Sequence, residues 1–221
     1  MATATARATD AGSSRFEGEL FDFDAFAAAP LQRDPFDYLI VPRFIRPAAL
    51  AALNDDFPAI EGPGNFSPER LSYGPIFAAF LDALESPELA ARFGAKFGVD
   101  LGGCRPTIAI RRYSEASDGN IHTDHKSKVI TVLFYFNQRW PHEGGRLRLL
   151  RSATDMEDYA AESVPEDGAM LAFRRTDHSY HGHKPFVGER RILQLSYTRG
   201  GDVARLVSSL TKPIRRLLGK S

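Results

Sequence analysis

The sequence has almost no cysteine, no surplus of charge and no long apolar run. Cys104 is the only cysteine among 221 residues, so no disulfide can form within the chain, and we expect a reducing compartment, the cytoplasm. Basic and acidic residues number 28 each, and the zero net charge argues against nucleic acid or an anionic lipid surface as a partner. No stretch approaches the roughly 20 apolar residues that span a bilayer, so we expect no membrane span.

The length and the apolar content suit one domain with a sizeable core. We expect a flexible leader over residues 1–16, because this stretch is rich in Ala, Thr and Ser and lacks the apolar run of a secretory signal. Residues 17–200 are predicted to form the single domain. Residues 201–221 combine apolar residues at helical spacing with several basic ones, which predicts a basic amphipathic C-terminal helix. The sequence leaves the role of this helix and the oligomeric state open.

The order of helical and strand-like patterns predicts an α+β fold that is mainly β. Pro47 opens a helix, and residues 75–97 carry apolar residues at helical spacing that Pro87 divides into two helices. Short β-rich runs follow after Gly103, typical of an all-β sandwich or barrel. We therefore expect helices packed outside a β core. The predicted strands are residues 37–41, 106–113, 129–136, 146–150, 169–173, 179–183 and 191–197.

The most informative motif is His122-Thr-Asp124, which places an imidazole and a carboxylate two residues apart just before an apolar strand. In an extended segment, such side chains point to the same face and can reach one metal ion. A third ligand is available downstream, where His181 is preferred and His178 and His183 are alternatives; strand alternation does not separate His181 from His183. Two histidines and a carboxylate form the facial arrangement that non-haem Fe(II) prefers.

A basic residue follows the downstream histidines. Arg190 comes nine residues after His181, in what is predicted to be the next strand of a hairpin. A guanidinium can hold a carboxylate by two parallel hydrogen bonds, so Arg190 is a candidate anchor for a dicarboxylate. Because Arg191 is adjacent, the sequence alone leaves the register of the anchor uncertain by one residue.

Several short motifs follow one another between Arg112 and Tyr197. They are Tyr113 with His122-Thr-Asp124, Lys128-Val-Ile-Thr-Val-Leu-Phe-Tyr-Phe-Asn137, Glu143-Gly-Gly-Arg-Leu147, Gly168-Ala-Met-Leu-Ala-Phe173, His181-Gly-His-Lys-Pro185 and Gly188-Glu-Arg190. Together they resemble one family of enzymes, the 2-oxoglutarate and Fe(II)-dependent dioxygenases, especially the branch similar to prolyl 4-hydroxylases. This resemblance implies a double-stranded β-helix core, which is a cupin-like jelly roll, with helices outside.

The resemblance also implies cofactors and roles. Fe(II), 2-oxoglutarate and O2 are the expected cofactor and co-substrates, with ascorbate as an optional reductant. His122, Asp124 and His181 are similar to the catalytic iron ligands, and Arg190 is similar to the residue that binds the distal carboxylate of 2-oxoglutarate. The hydroxyls of Tyr113 and Tyr135 are candidates to contact the co-substrate, although a packing role is equally open for each.

The activity implied is hydroxylation of an unactivated C–H bond, with release of succinate and CO2. The substrate would be a small molecule, a glycan or a peptide side chain, contacted by loops at residues 62–73, 114–120 and 151–162. Related halogenases have a small residue in place of the carboxylate, so Asp124 favours hydroxylation. The alternatives are a non-catalytic β-barrel that binds a ligand and a cupin-like metalloenzyme that does not use 2-oxoglutarate; Arg190 argues against the second, which needs no dicarboxylate anchor.

Overall fold

The structure is a computed structural model that describes residues 20–200. The predicted leader over residues 1–16 and the predicted helix over residues 201–221 lie outside the described residues. Within the described range, no helix combines the length and the apolar character that crossing a membrane requires.

Within residues 20–200, four α-helices with given bounds precede most of the strands, and proline positions explain where three of them begin. They are α1 (Phe23–Ala28), α2 (Pro47–Asp55), α3 (Pro75–Leu84) and α4 (Pro87–Phe97), with a short 3-10 helix at Pro68–Arg70. Proline is favourable in the first helical turn, because its nitrogen needs no hydrogen-bond partner there. The Ser86 hydroxyl also accepts a hydrogen bond from the Leu89 amide and caps α4. The predicted break at Pro87 is therefore confirmed.

In the described part of the chain, eight strands form two antiparallel sheets, as the prediction of a mainly β core requires. The strands are β1 (Tyr38–Val41), β2 (Cys104–Ser114), β3 (Lys128–Tyr135), β4 (Leu147–Leu150), β5 (Tyr159–Ser163), β6 (Met170–Arg174), β7 (His181–Gly182) and β8 (Gly188–Arg199). The larger sheet has the order β1-β6-β3-β8-β2, and the smaller sheet has the order β5-β4-β7.

One part of the strand prediction was wrong. Residues 151–162 were expected to form a loop, but Tyr159–Ser163 is a strand that pairs with β4. This strand is short and partly exposed, so its own residues lack a clear alternating pattern, and it is held by pairing with a neighbour. In the opposite sense, the predicted strand over residues 179–183 shortens to His181–Gly182.

The central strand β3 is buried on both faces because each face packs on a different layer. Ile130, Val132 and Phe134 contribute to a large core with the helices, whereas Leu133 and Tyr135 belong to a second core between the two sheets. The second core also contains Leu147 and Leu149 of β4, Leu171 and Phe173 of β6, and Ile192 of β8. The space between the sheets is thus the interior onto which β3, β4, β6 and β8 all project side chains.

Candidate metal and co-substrate site

The three predicted metal ligands meet at one end of the space between the sheets. His122 and His181 form an isolated antiparallel β-bridge, with two backbone hydrogen bonds of 3.0 Å between them, and their ring centroids lie 4.3 Å apart. Asp124 lies two residues further along the same extended segment. One ligand atom from each of the three residues lies within 4.8 Å of the others, which is close enough for a single metal ion to bind all three.

The other two histidines considered for the third ligand are outside this group. His178 is exposed, and its ring is paired with that of Tyr180. His183 is buried, but its Nδ1 contacts the Lys184 carbonyl, and the charged groups near it are Arg190, Asp118 and Arg111. Among the described residues, the structure therefore brings His181, and neither His178 nor His183, to His122 and Asp124, a difference that strand alternation alone could not predict.

Both histidines of the group are held so that one ring nitrogen is available. His122 Nδ1 lies 2.8 Å from the Asn120 carbonyl, and His181 Nδ1 lies 2.9 Å from the Ser179 carbonyl. A carbonyl oxygen can only accept a hydrogen bond, so each Nδ1 carries the proton and each Nε2 keeps its lone pair for a ligand. Burial lowers the pKa of His181 to about 4, although the nearby Asp124 opposes this shift. His181 is thus neutral at neutral pH, as metal binding requires.

Asp124 is a buried carboxylate with a hydrogen bond to each oxygen. Lys128 Nζ lies 2.6 Å from Oδ1, and the Thr131 hydroxyl donates to Oδ2 at 2.5 Å. Burial by itself raises the pKa of Asp124, but the charge of Lys128, together with these hydrogen bonds, holds the pKa well below its usual range. Asp124 is therefore ionised. Each carboxylate oxygen has a second lone pair, so the group can accept these bonds and still bind a metal ion.

Arg190 is a buried cation with no anionic partner among the described residues. Its side chain is 2% exposed, and its one hydrogen bond runs from Nε to the Gly145 carbonyl, at 2.8 Å. Burial lowers the pKa of Arg190 to about 10, so the group still carries its charge at neutral pH. A buried charge is costly unless it is paired, so this arrangement is suited to an anion.

Gly145 allows the arginine to lie so deep. This glycine has a φ of +77°, which side chains rarely tolerate, and a Cβ placed on it would lie 2.8 Å from the Trp140 ring and 3.2 Å from Arg190 Cδ. The adjacent Arg191 points elsewhere. It pairs with Glu189, donates to Asn54 of α2 and lies over the Phe57 ring on the helix side of the sheet. Of the two arginines, Arg190 is the one that faces the space between the sheets.

Two buried hydroxyls, those of Tyr135 and Ser163, share that space, and neither has a hydrogen-bond partner of normal geometry among residues 20–200. The two hydroxyls are near each other, since Ser163 acts to lower the pKa of Tyr135. Ser163 lies opposite Leu147, which packs in the same core as Tyr135. Burial raises the pKa of Tyr135, and the charge of Arg190 opposes this shift, so the phenol stays protonated near a cation. Buried hydroxyls are normally hydrogen-bonded, so this space is suited to a polar ligand.

Tyr113, the second predicted tyrosine, is only half-buried. It lies near the end of β2 opposite Glu189, and the Arg112 guanidinium lies 5.5 Å from the centre of its ring. These contacts place Tyr113 beside the strand that carries Arg190, but they do not show its hydroxyl in the space between the sheets. Its role in co-substrate binding stays a prediction.

The donor groups fit both an iron ion and a dicarboxylate. Two neutral imidazoles and an ionised carboxylate are the donor set of non-haem Fe(II). A buried guanidinium that has no anionic partner among the described residues, that of Arg190, and the buried hydroxyls of Tyr135 and Ser163 are suited to a carboxylate. Sequence reasoning missed Lys128, Thr131 and Ser163. Thr131 shares strand alternation with Tyr135, which was a usable signal, whereas nothing in the sequence placed Ser163 in a strand.

Comparison with known proteins confirms the predicted resemblance. Residues 108–199 match the family model described as the 2OG-Fe(II) oxygenase superfamily. This segment contains the three predicted metal ligands, and it also contains Tyr113, Tyr135 and Arg190. No curated protein matches the chain.

Solved structures of prolyl hydroxylases share the fold at low sequence identity. A prolyl-4-hydroxylase from Pseudomonas putida matches with a TM-score of 0.55 and 18% identity, over 84% of this chain and 94% of that chain. A prolyl 4-hydroxylase from Phytophthora capsici gives 0.55 and 14%, over 89% and 68%. A prolyl hydroxylase from Trichoplax adhaerens, in complex with a peptide fragment of the hypoxia inducible factor oxygen degradation domain, gives 0.51 and 15%, over 91% and 94%.

Proposed function

We propose that the chain is a hydroxylase of the 2OG-Fe(II) oxygenase superfamily, whose family model its residues 108–199 match, with His122, Asp124 and His181 as its iron ligands. It uses Fe(II), 2-oxoglutarate and O2, and it releases succinate and CO2. The observation that carries the proposal is the convergence of these three side chains from two distant segments. When bound, the iron supplies the oxygen chemistry, and the protein supplies geometry, charge and a dry pocket.

The ligands have distinct tasks in this proposal. The two backbone carbonyls that accept from the Nδ1 atoms fix the ring orientation, which is how histidine ligands are usually held in metal sites. Asp124 would hold the iron through its carboxylate, and related halogenases have a small residue in place of that carboxylate, which favours hydroxylation here. His122 is exposed while Asp124 and His181 are buried, so substrate would approach from the His122 side.

Arg190 is proposed to hold the distal carboxylate of 2-oxoglutarate, with Tyr135 as a second donor. The support is that, among residues 20–200, Arg190 has no anionic partner and bonds only to the Gly145 carbonyl, and the Tyr135 hydroxyl has no hydrogen bond of normal geometry. A guanidinium–carboxylate pair and a phenol–carboxylate hydrogen bond are charge-assisted, and each such bond contributes roughly 1.5–3 kcal/mol. Together they would orient the co-substrate with its keto acid end toward the three metal ligands.

The substrate is proposed to be a small molecule, a glycan or a peptide, and a peptide is the class to test first. The Trichoplax prolyl hydroxylase, which shares the fold, holds a peptide fragment. In this chain, Arg111 of β2 pairs with Asp118 and donates to Asn65, which joins two of the loops predicted to contact substrate to the β core. We propose that these loops, residues 62–73 and 114–120, border the substrate entrance.

An anaerobic titration tests this proposal. The purified protein is loaded with Fe(II) and then 2-oxoglutarate, and the weak visible absorption of the iron–keto acid chelate is recorded, followed by succinate formation after O2 is admitted. We expect the chelate band and succinate from the wild-type protein, and loss of both in His122→Ala and Asp124→Ala. Arg190→Ala should keep iron binding but raise the 2-oxoglutarate requirement by about 100-fold, equal to about 3 kcal/mol of lost charge-assisted bonding.

His178→Ala is the matched control, since this histidine is exposed and three residues from His181. It should behave as the wild type. Unchanged succinate formation in Asp124→Ala would refute the assignment of the ligands. Iron binding with no chelate band would favour a cupin-like metalloenzyme that does not use 2-oxoglutarate, and a folded protein that takes up no iron would favour the non-catalytic β-barrel.

A further inference from the structure

A buried lysine forms an ion pair with Asp124, the carboxylate among the three predicted metal ligands. Lys128 Nζ lies 2.6 Å from Asp124 Oδ1, and the side chains are only 6% and 8% exposed. Lysine is almost never so deeply buried without a partner, and here its partner is a predicted iron ligand. Arg175 is also near, but its Nε donates to the Asp124 backbone carbonyl and its Nη1 pairs with Asp177. Among the described residues, Lys128 is therefore the one cation bonded to the Asp124 carboxylate.

The local backbone directs Lys128 to this position. Residues 125–128 form a tight turn in which the Lys128 amide donates to the His125 carbonyl. The pairing of β3 with β8 then shifts register between Lys128 and Ile130, and both Val129 and Ile130 pack in the helix-side core. This irregularity breaks the strict alternation that would put Lys128 on the same face as Ile130. β-Bulges commonly re-aim a side chain in this way next to functional sites.

We propose that Lys128 is the counter-charge of Asp124 in the metal-free protein and that it sets the affinity of the site for a divalent cation. This inference rests on the proposed function, because it takes His122, Asp124 and His181 as metal ligands. Lys128 is a positioning residue, since it acts through Asp124. Its ammonium pairs with the buried carboxylate and orients it without metal, and its positive charge opposes the binding of a second cation at the same carboxylate.

Lys128 affects metal binding in two opposite ways: its hydrogen bond orients Asp124, and its positive charge repels the metal ion. The charge effect is the larger. A hydrogen bond that orients Asp124 favours binding, but Thr131 donates to the other oxygen and keeps much of that orientation without Lys128. Repulsion between a monovalent and a divalent cation across one buried carboxylate is strong, since low-polarity surroundings screen it weakly. Removing the charge also destabilises the metal-free protein, where Asp124 would lose its partner. Both consequences tighten metal binding.

A Co(II) titration of four variants tests the proposal, with the metal affinity read from the visible absorption of bound Co(II) and the Tm measured on the metal-free proteins. Lys128→Met removes the charge, Lys128→Gln removes it but can still donate to Asp124, and Lys128→Arg keeps it. Lys126→Met is the matched control, because Lys126 is exposed in the same turn.

We expect both charge-free variants to bind Co(II) at least about tenfold more tightly than the wild type, and metal-free Lys128→Met to melt roughly 5–10 °C lower. Lys128→Arg and Lys126→Met should resemble the wild type. Unchanged or weaker Co(II) affinity in both charge-free variants, or an unchanged Tm of metal-free Lys128→Met, overturns the proposal while leaving the metal site intact. A folded wild-type protein that binds no Co(II) overturns the proposed function as well.

Discussion

Two adjacent arginines on β8 show how a single position changes the chemistry of a side chain. Arg191 has partners on the helix side of the sheet, in Glu189 and Asn54. Arg190 is buried on the other side, where the Gly145 carbonyl is its only hydrogen-bond acceptor in the described part of the chain. Since an unpaired buried cation is unfavourable, Arg190 lowers the stability of the ligand-free protein. The same unpaired charge is available to bind an anion. Such a trade between stability and binding is common at functional sites.

Replacing Arg190 should therefore separate stability from binding. We expect Arg190→Met to raise the free energy of unfolding of the ligand-free protein by about 1–3 kcal/mol, because an apolar chain of similar length replaces an unpaired buried charge. The same variant should lose the increase in Tm that 2-oxoglutarate gives to the metal-loaded wild type. Thermal melts with and without the two ligands measure both effects. Arg191→Met is the comparison, and it should keep the response to 2-oxoglutarate; a large loss of stability in ligand-free Arg190→Met would contradict the view of Arg190 as unpaired.

At the scale of elements, β3 joins the helical layer to the site. Phe134 lies in the helix-side core, with ring centroids 5.8 Å from Phe80, 6.1 Å from Phe44 and 6.2 Å from Phe21. Thr131, on the alternate face, donates to Asp124. One face of the strand is thus anchored by aromatic packing, and the other carries polar groups toward the metal ligands. Packing on the aromatic face holds the strand in place and so helps to fix the positions of the polar groups on the opposite face.

Truncation on the helix face of β3 should affect stability more than ligand geometry. We expect Phe134→Ala to lower the free energy of unfolding by about 3–5 kcal/mol, because it leaves a cavity among three other phenylalanine rings. Chemical denaturation followed by fluorescence or circular dichroism measures this change. Val187→Ala provides the control, since that side chain is 70% exposed and should shift stability by less than about 0.5 kcal/mol. A loss below about 1 kcal/mol in Phe134→Ala would mean that this layer packs more loosely than its contacts imply.

Elements also differ in how well sequence reasoning located them. The helices α3 and α4 were predictable because Pro75, Pro87 and the spacing of apolar residues act within the helix itself. The strand β5 was not predictable, because it is defined by its pairing with β4 rather than by its own pattern. The irregularity near Lys128 was equally hidden, since strict alternation predicts the wrong face for that residue.

At the scale of the whole molecule, the site joins segments that are far apart in sequence. His122 is bridged to His181, and Tyr135, Ser163 and Arg190 come from three other strands. A ligand that contacts several of these segments binds the folded protein and has no comparable site on the unfolded chain. Metal and co-substrate should therefore contribute directly to the stability of the fold.

Ligand removal should accordingly lower the melting temperature. At about 100 times its Kd, a ligand adds about 2.7 kcal/mol of stability, which for a domain of this size corresponds to a Tm shift of roughly 5–10 °C. We expect Mn(II) to raise the Tm, 2-oxoglutarate to raise it further only when the metal is present, and a chelator to reverse both shifts. Asp124→Ala should abolish the response to metal and so serves as the control. A Tm that is insensitive to metal and chelator would contradict the placement of the metal ligands.

The sequence by itself determined the chemical groups of this protein and the local elements that carry them. His122 and Asp124 share a face because an extended chain alternates, and the prolines start helices because of their ring geometry. Only the tertiary structure decided between His181, His178 and His183, turned Arg190 inward and Arg191 outward, and brought Lys128 to Asp124. These choices depend on pairing between distant strands and on shifts in register, and no local pattern along the chain encodes which partner a strand will meet.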